Sequence, residues 1–330
     1  MDTIIHNEFN EIFETAGLIH VCYHPKRRSK EELMNQLSDR ESIYNKFQPF
    51  FDLYFHVFKE NFNSSDNDAF FFEEFESDWV QAIASTVVKN RHWLENIDTL
   101  SDEDIYQDIV SQLFYDEVIE NMDDVVAQLE ETTLAFHLCW KLILVLKNPK
   151  KYMSMYIKII KNNLEAYKKA RKAIAVDIAP LLADFKEPSS EYISRFKAVI
   201  ENEYEIYPTF VNPFLTAMTT GCPIFCGLYL NEELEREKRK DKPRDVLAGM
   251  LKMLADQSKI EILFMLKKES MYNLQIANEL GISAATTHHH MTNLLARGFV
   301  IAEKREGKLY YSLQKEQIKE IIADLEAVFL

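Results

Sequence analysis

The chain has 330 residues, and its 38 Lys and Arg against 53 Asp and Glu give a formal net charge of −15 at pH 7. The low counts of 7 glycines and 9 prolines favour a mainly helical protein with short loops. The chain is long enough for two domains. No apolar run approaches the roughly 18–20 residues of a membrane span, and no signal peptide pattern is visible. The four cysteines are too scattered for a disulfide framework. We therefore expect a cytoplasmic protein without membrane contact.

Residues 1–206 show the apolar period of amphipathic helices. Ser29 and Ser101 each begin a capping-box pattern, which predicts a helix start. The predicted helices cover about 29–61, 78–96, 101–121, 122–147, 151–184 and 188–205. An aromatic stripe on the first of them is interpreted mainly as core, with a ligand pocket or a dimer interface as the alternative. The stripe comprises Tyr44, Phe47, Phe51, Tyr54, Phe55, Phe58 and Phe62.

The character of the chain changes at residue 206. Two apolar runs around a turn at 219–223 predict a small β-hairpin or an irregular packed segment, and Pro208 and Pro213 predict an edge position for the first run. No nearby cation lowers the thiol pKa of Cys222 or Cys226, so we interpret both as packing residues and keep a redox switch or metal site as the alternative. A charged stretch then leads to Lys242-Pro243. The predicted domains are therefore 1–240 and 241–330.

Residues 273–297 predict a helix-turn-helix. Gly281 is expected to end the first helix in the left-handed conformation, and Ser283 is expected to cap the second. The preceding helix, 258–266, is amphipathic, with a predicted core stripe of Ile260, Leu263, Phe264 and Leu266. Two alternating runs around 305–308 predict a hairpin wing, and a last helix is expected at 317–329.

Four segments in this order, at residues 254–263, 282–291, 295–300 and 305–313, resemble the winged-helix domain of the ArsR family of bacterial transcriptional repressors. The resemblance covers the C-terminal domain only. It implies binding to double-stranded DNA on an inverted repeat, and a homodimer that pairs through the helices at 245–255 and 317–329. The whole chain is therefore expected to be mainly α, with a multi-helix domain before a winged helix-turn-helix.

The DNA-binding candidates lie on the second helix and on the wing. Short, polar or donor-bearing side chains near the helix start suit base edges and phosphates in the major groove. Cations at the wing tip suit the DNA backbone. The candidates are Ser283, Ala284, Thr286, Thr287, His288, His289, Arg305 and Lys308.

Charge is distributed unevenly between the predicted domains. Residues 1–240 hold 26 Lys and Arg against 41 Asp and Glu, whereas residues 241–330 hold 12 of each. The DNA-binding domain is thus neutral, less basic than is usual for such a domain. We expect modest affinity for each monomer, so that binding relies on a dimer.

The effector is not identified by the sequence. The resemblance implies two kinds of metal sensor. Members that sense soft metals carry cysteines on the first helix of the helix-turn-helix, and this chain has none there. Others use His and acidic residues on the terminal helix, and residues 315–330 contain acids but no His. Adjacent histidines at 288–290 point about 100° apart and cannot share one ion. We therefore expect no metal and no cofactor, with a metal- or thiol-responsive regulator as the alternative. The N-terminal domain is expected to bind a small-molecule effector or a protein partner. No catalytic motif was found, so no enzyme is expected, although an enzymatic N-terminal domain remains an alternative.

Overall fold

The computed structural model describes residues 3–25, 41–73, 77–113, 119, 121–130, 136–186, 204–213, 216–218, 223–230, 247, 250–251, 253–282, 287, 290–291, 293–295, 297–305 and 308–330. The chain forms two compact units. Unit 1 comprises Met1–Tyr115, Phe136–Glu187 and Asn202–Asn231, and unit 2 comprises Asp116–Ala135, Pro188–Glu201 and Glu232–Leu330. The predicted boundary at 240/241 lies outside the described residues and stays a prediction.

Ten α-helices are described in the first 186 residues. They are α1 Glu11–Tyr23, α2 Glu41–Asn61, α3 Asp68–Phe72, α4 Ser77–Lys89, α5 Trp93–Asn96, α6 Asp102–Leu113, α7 Met122–Glu130, α8 Phe136–Lys147, α9 Pro149–Ala173 and α10 Ala175–Ala183. All belong to unit 1 except α7, which belongs to unit 2. The helix predicted at 151–184 is two helices that meet at Ile174. Most of the helix predicted at 188–205 falls outside the described residues.

The core of unit 1 forms where α9 packs against α1 and α2, and α1 against α4. Helix α1 begins at the Asn10 side chain, which accepts hydrogen bonds from the N–H groups of Ile12 and Phe13. The aromatic stripe of α2 is mainly core, as predicted. Its buried members are Tyr44, Phe47, Phe51, Tyr54 and Phe58.

Unit 1 also contains a four-stranded sheet. Its strands are β1 Thr3–Ile5, β2 Tyr204–Thr209, β3 Thr216–Met218 and β4 Ile224–Gly227, in the order β1-β2-β4-β3. Strands β3 and β4 are antiparallel, which confirms the predicted hairpin. The parallel pairs of β2 with β1 and with β4 were not predicted.

The edge position predicted from Pro208 is wrong for the first half of β2, which lies between β1 and β4. The last backbone bond between β1 and β2 is donated by the His6 N–H to the Ile206 carbonyl, at 2.9 Å. The next bond of that parallel ladder would need an N–H at residue 208, and proline has none. Pro208 therefore ends the pairing with β1 without interrupting the pairing with β4.

Unit 2 contains the helix-turn-helix and the wing. Its remaining elements are α11 Gln257–Leu266, β5 Met271–Tyr272, α12 Asn273–Leu280, β6 Val300–Arg305, β7 Lys308–Leu313 and α13 Lys315–Phe329. Helical residues at 287, 290–291 and 293–295 form what we call the recognition segment. The three strands pair antiparallel in the order β5-β7-β6. This arrangement confirms the predicted winged helix.

The predicted core stripe of α11 is wrong at two positions. Ile262 and Leu266 are buried, whereas Ile260 is 37% and Phe264 58% exposed. Residues two apart on a helix point about 200° apart, so a face centred on 262 and 266 turns 260 and 264 away from the core. The apolar residues of this helix therefore occupy two faces, only one of which is buried.

Candidate nucleic-acid interface

The first helix of the motif, α12, ends at Gly281 in the predicted left-handed conformation, with φ of +64°. The Ile282 N–H donates to the Ala277 carbonyl at 3.2 Å, and the Gly281 N–H donates to the Asn278 carbonyl at 3.4 Å. These two bonds form a Schellman motif, which satisfies the last carbonyls of the helix. Nothing lies within 4 Å of a Cβ built on Gly281, so backbone conformation, not space, requires glycine here.

The recognition segment ends in the same way, at Gly298 with φ of +74°. The Phe299 N–H donates to the Leu294 carbonyl at 2.9 Å, and the Gly298 N–H donates to the Leu295 carbonyl at 3.0 Å. Phe299 itself is fully buried. The sequence prediction did not use Gly298, although glycine after an apolar helical pattern is a standard stop signal.

One predicted contact residue lies on the wrong side of the recognition segment. Thr287 is fully buried, as are Met291 and Leu294. Four- and seven-residue spacing places all three on the same side of a helix. The prediction that Thr287 faces DNA is therefore wrong, because it occupies the core stripe of its own helix. The candidates Ser283, Ala284, Thr286, His288 and His289 lie outside the described residues and stay predictions.

The helix before the motif, α11, begins at Asp256, which caps its N-terminus. Its carboxylate accepts a hydrogen bond from the Lys259 N–H at 3.0 Å. Partial burial raises the pKa of Asp256, but the bond from Lys259 and the charges of Lys259 and His290 outweigh it and lower the pKa. Asp256 therefore stays ionised at the helix N-terminus, where a negative charge is favourable.

The wing presents its cations on one face of the three-stranded sheet. Arg305 and Lys308 are register partners at the tip. The Lys308 ammonium lies 4.5 Å from the centre of the Tyr272 ring, and the Arg305 guanidinium lies 5.6 Å from that of Tyr310. The two tyrosine rings meet edge to face at 5.5 Å. The two tyrosine rings therefore lie against both cations on the exposed side of the wing, where Arg305 and Lys308 are predicted to contact the DNA backbone.

An acid on the same face partly neutralises the wing. Arg305 donates a hydrogen bond to Glu303 at 2.6 Å, and both side chains are half exposed or more. The hydrogen bond and charge of Arg305 lower the pKa of Glu303, and the same pair raises the pKa of Arg305. Sequence reasoning did not consider Glu303, although it lies two residues before Arg305 on a strand and therefore on the same face.

The described residues contain no group of three or more His, Cys, Asp or Glu that could hold a metal ion. Cys22, Cys139 and Cys226 form no disulfide bond. Burial raises the pKa of Cys22 to about 12, against a smaller opposing effect of Lys59. A thiol with that pKa is protonated and poorly reactive at neutral pH. Cys222 lies outside the described residues.

A small cavity lies between α1 and α4 in unit 1, lined in part by Gly17, His20 and Gln81. Its volume is about 20 Å³, which suits about one water molecule. A pocket for a drug-sized ligand is typically about 300–1,000 Å³, so this cavity does not fit such an effector.

Across the part of the chain that the structure describes, no helix has both the length and the apolar character of a membrane span.

Comparison with known proteins assigns the C-terminal region. Residues 256–302 match the family model for bacterial regulatory proteins of the arsR family. The chain is 33% identical over 100 residues to a cadmium resistance transcriptional regulatory protein CadC homolog of Staphylococcus aureus, covering 28% of this chain and 81% of that protein. It is 26% identical over 98 residues to the nodulation protein NolR of Rhizobium meliloti, covering 30% of this chain and 79% of that protein. No solved structure matches. The chain belongs to the ArsR family and is a DNA-binding transcription regulator.

Proposed function

We propose that the chain is a cytoplasmic bacterial repressor that binds an inverted-repeat operator as a homodimer. The observation that carries this proposal is the apolar face of α13. Ile322 is 51% and Phe329 72% exposed, and the half-buried Ile318 and Leu325 lie on the same side of the helix. A second copy of α13 would remove this face from water. It would also supply the two-fold symmetry that an inverted repeat requires.

Sedimentation of the full chain at micromolar concentration tests the dimer. We expect a dimer for the unmodified chain and a monomer for the variant with Ile322→Asp and Phe329→Asp. Ala327→Asp is the matched control, because this exposed residue lies on the opposite side of α13. A monomeric unmodified chain, or equal dissociation by the control variant, would contradict the proposal.

Repression is tested in cells. Selection from a randomised duplex library first identifies the operator sequence. Transcript levels of the genes next to that sequence in the genome are then compared between cells with and without the protein. A repressor predicts higher transcript levels in its absence. A fall in these transcripts would show activation instead.

We further propose that unit 1 responds to a non-metal effector or to a protein partner, and that it has no catalytic role. The thiol-poor winged helix supports a non-metal signal, since residues 241–330 contain no cysteine. Native mass spectrometry of the purified full chain would detect a retained small molecule. A protein partner would instead leave the chain at its calculated mass.

A metal- or thiol-responsive regulator is the second candidate, because one relative is named for cadmium resistance. In that case Cd²⁺ would weaken binding of the full chain to its operator, and Cys→Ser variants at Cys22, Cys139, Cys222 and Cys226 would abolish the effect. Unchanged affinity across a Cd²⁺ titration would reject this candidate.

A further inference from the structure

Helix α9 carries a dense positive face inside a strongly acidic domain. Its 25 residues contain seven lysines and one arginine but a single acid, Glu165. Six of the lysines are exposed. At about 100° per residue they fall within an arc of about 100°. We call these six residues the α9 basic face, namely Lys151, Lys158, Lys161, Lys168, Lys169 and Lys172.

Among the residues that the structure describes, Lys168 is the one member of this face that forms an ion pair with an acid. Lys168 pairs with Glu165 at 2.7 Å, and Lys169 donates to the Asn61 side chain at 2.7 Å. Lys158, Lys161 and Lys172 form no ion pair with any other residue that the structure describes. Two acids in the chain before α1 and at its start, Glu8 and Glu11, interact with other cations of α9 than Lys172. Glu8 pairs with Arg171, and Glu11 acts on Lys168.

The length and composition of the face indicate its ligand. From Lys151 to Lys172 the helix extends about 32 Å. Duplex DNA carries one negative charge per roughly 1.7 Å of its axis, so a duplex lying along the face would present many phosphate charges to it. The exposed side chains between the lysines are Asn162 and Glu165, without a large apolar group. Interfaces between proteins are depleted in lysine and enriched in aromatic residues. Helices that lie on membranes need an apolar side, but the opposite side of α9 is buried in the core.

We propose that the α9 basic face binds the phosphate backbone of duplex DNA, so that unit 1 has a phosphate-binding surface of its own. The inference rests on DNA binding by the chain. It also accounts for the neutral charge of residues 241–330, because a family member with so little positive charge there needs phosphate contacts from elsewhere.

The test measures binding of the full chain to a labelled 40-base-pair duplex of arbitrary sequence between 50 and 200 mM NaCl. Lys158, Lys161 and Lys172 are replaced together by Gln, which keeps helix propensity nearly unchanged. The control replaces the exposed Lys46, Lys89 and Lys186 by Gln, for the same change in net charge. Thermal unfolding followed by circular dichroism verifies that each variant folds.

We expect the slope of log affinity against log salt to fall in magnitude by about 2 to 3 in the α9 variant, with affinity about ten- to a hundredfold lower at 0.1 M salt. The control variant is expected to keep the slope of the unmodified chain. Equal slopes for the α9 variant and the unmodified chain, or an equal loss in the control, would overturn the inference.

Further measurements separate other occupants and the parent proposal. Loss of dimerisation with an unchanged DNA slope would assign the face to a second copy, and loss of binding only to phosphatidylglycerol vesicles would assign it to a membrane. Both results would overturn the inference. Lys308→Ala reports on the winged helix alone. If it lowers the slope and the α9 variant does not, the inference fails while DNA binding by the winged helix stands.

Discussion

Glu14 is a fully buried carboxylate in the first turn of α1. All its hydrogen-bond donors are neutral. They are the hydroxyls of Tyr54 at 2.8 Å and Thr209 at 2.5 Å, and the N–H groups of Phe210 at 2.9 Å and Val211 at 3.1 Å. Burial raises the pKa of Glu14 by more than these donors lower it. The carboxylate thus joins α1, α2 and the end of β2 at an electrostatic cost to the charged form.

The raised pKa of Glu14 predicts a pH dependence of stability. A carboxyl whose pKa is higher in the folded state contributes stability that is complete below its unfolded-state pKa and is lost as pH rises through the folded value. Glu14→Gln removes this loss. We expect urea unfolding of the full chain to show the Gln variant gaining stability relative to the unmodified chain between pH 5 and pH 8. The same comparison for the exposed Glu103→Gln should be flat, and a flat result for Glu14→Gln would contradict the prediction.

Gly17 lies one turn beyond Glu14, where α1 and the chain after β2 approach closely. A Cβ at this position would lie 2.6 Å from one methyl carbon of Val211 and 2.8 Å from the other. Val211 is 1% exposed, so relief of this contact would require its side chain to repack inside the core. Alanine would otherwise favour the helix by about 1 kcal/mol, so the sign of Gly17→Ala depends on this contact.

We expect Gly17→Ala to destabilise the chain by about 1–3 kcal/mol, because overpacking outweighs helix propensity. The prediction is checked by a double-mutant cycle in urea. In a Val211→Ala background the methyl groups are absent, and Gly17→Ala should then be neutral or stabilising. A stabilising effect of Gly17→Ala in the unmodified background would show that the contact relaxes.

Among the elements, the wing has the clearest link to DNA binding. Arg305 is paired with Glu303, whereas Lys308 contacts only a neutral ring among the interactions described above. We expect Lys308→Ala and Arg305→Ala each to reduce the salt slope of DNA binding by about 1. Glu303→Gln should strengthen binding, because it releases Arg305 and removes a repulsive charge.

Titration of labelled operator DNA at several salt concentrations measures these wing effects. Lys319→Ala is the control, since Lys319 lies on α13 beside Glu316. Weaker DNA binding by the Glu303→Gln variant would mean that Glu303 positions Arg305 for DNA. The prediction that Glu303 competes with DNA phosphates for Arg305 would then be wrong.

The sequence predicted elements wherever local signals were strong. The turn at Gly281, the two-strand wing and the last helix follow from glycine placement and apolar period, and all three are confirmed. Parallel pairing of β1 with β2 could not be predicted, because it joins residues about 200 positions apart and leaves no local pattern. Thr287 was misplaced because its short polar side chain suits a core and a DNA surface equally well.

At the scale of the whole molecule, net charge concealed the arrangement of charge. Counting identified residues 1–240 as acidic, which is correct as a sum, and placed no phosphate contact there. The fold concentrates lysines on one side of α9, while α6 begins with Asp102, Glu103 and Asp104. A domain with a negative net charge can thus still carry a surface that attracts DNA. The negative net charge of residues 1–240 therefore does not determine which surfaces of this protein can approach DNA.

The pairing of β1 with β2 also determines when unit 1 can finish folding during translation. About 200 residues separate Ile5 from its partner Ile206, and ribosomes add roughly 5–20 residues per second. The first strand therefore remains without its neighbour for roughly 10–40 s after it is made. Throughout that interval Glu14 lacks the donors at Thr209, Phe210 and Val211. A nascent chain thus holds an incomplete sheet edge, and a Glu14 carboxylate that must stay hydrated, until most of unit 1 has left the ribosome.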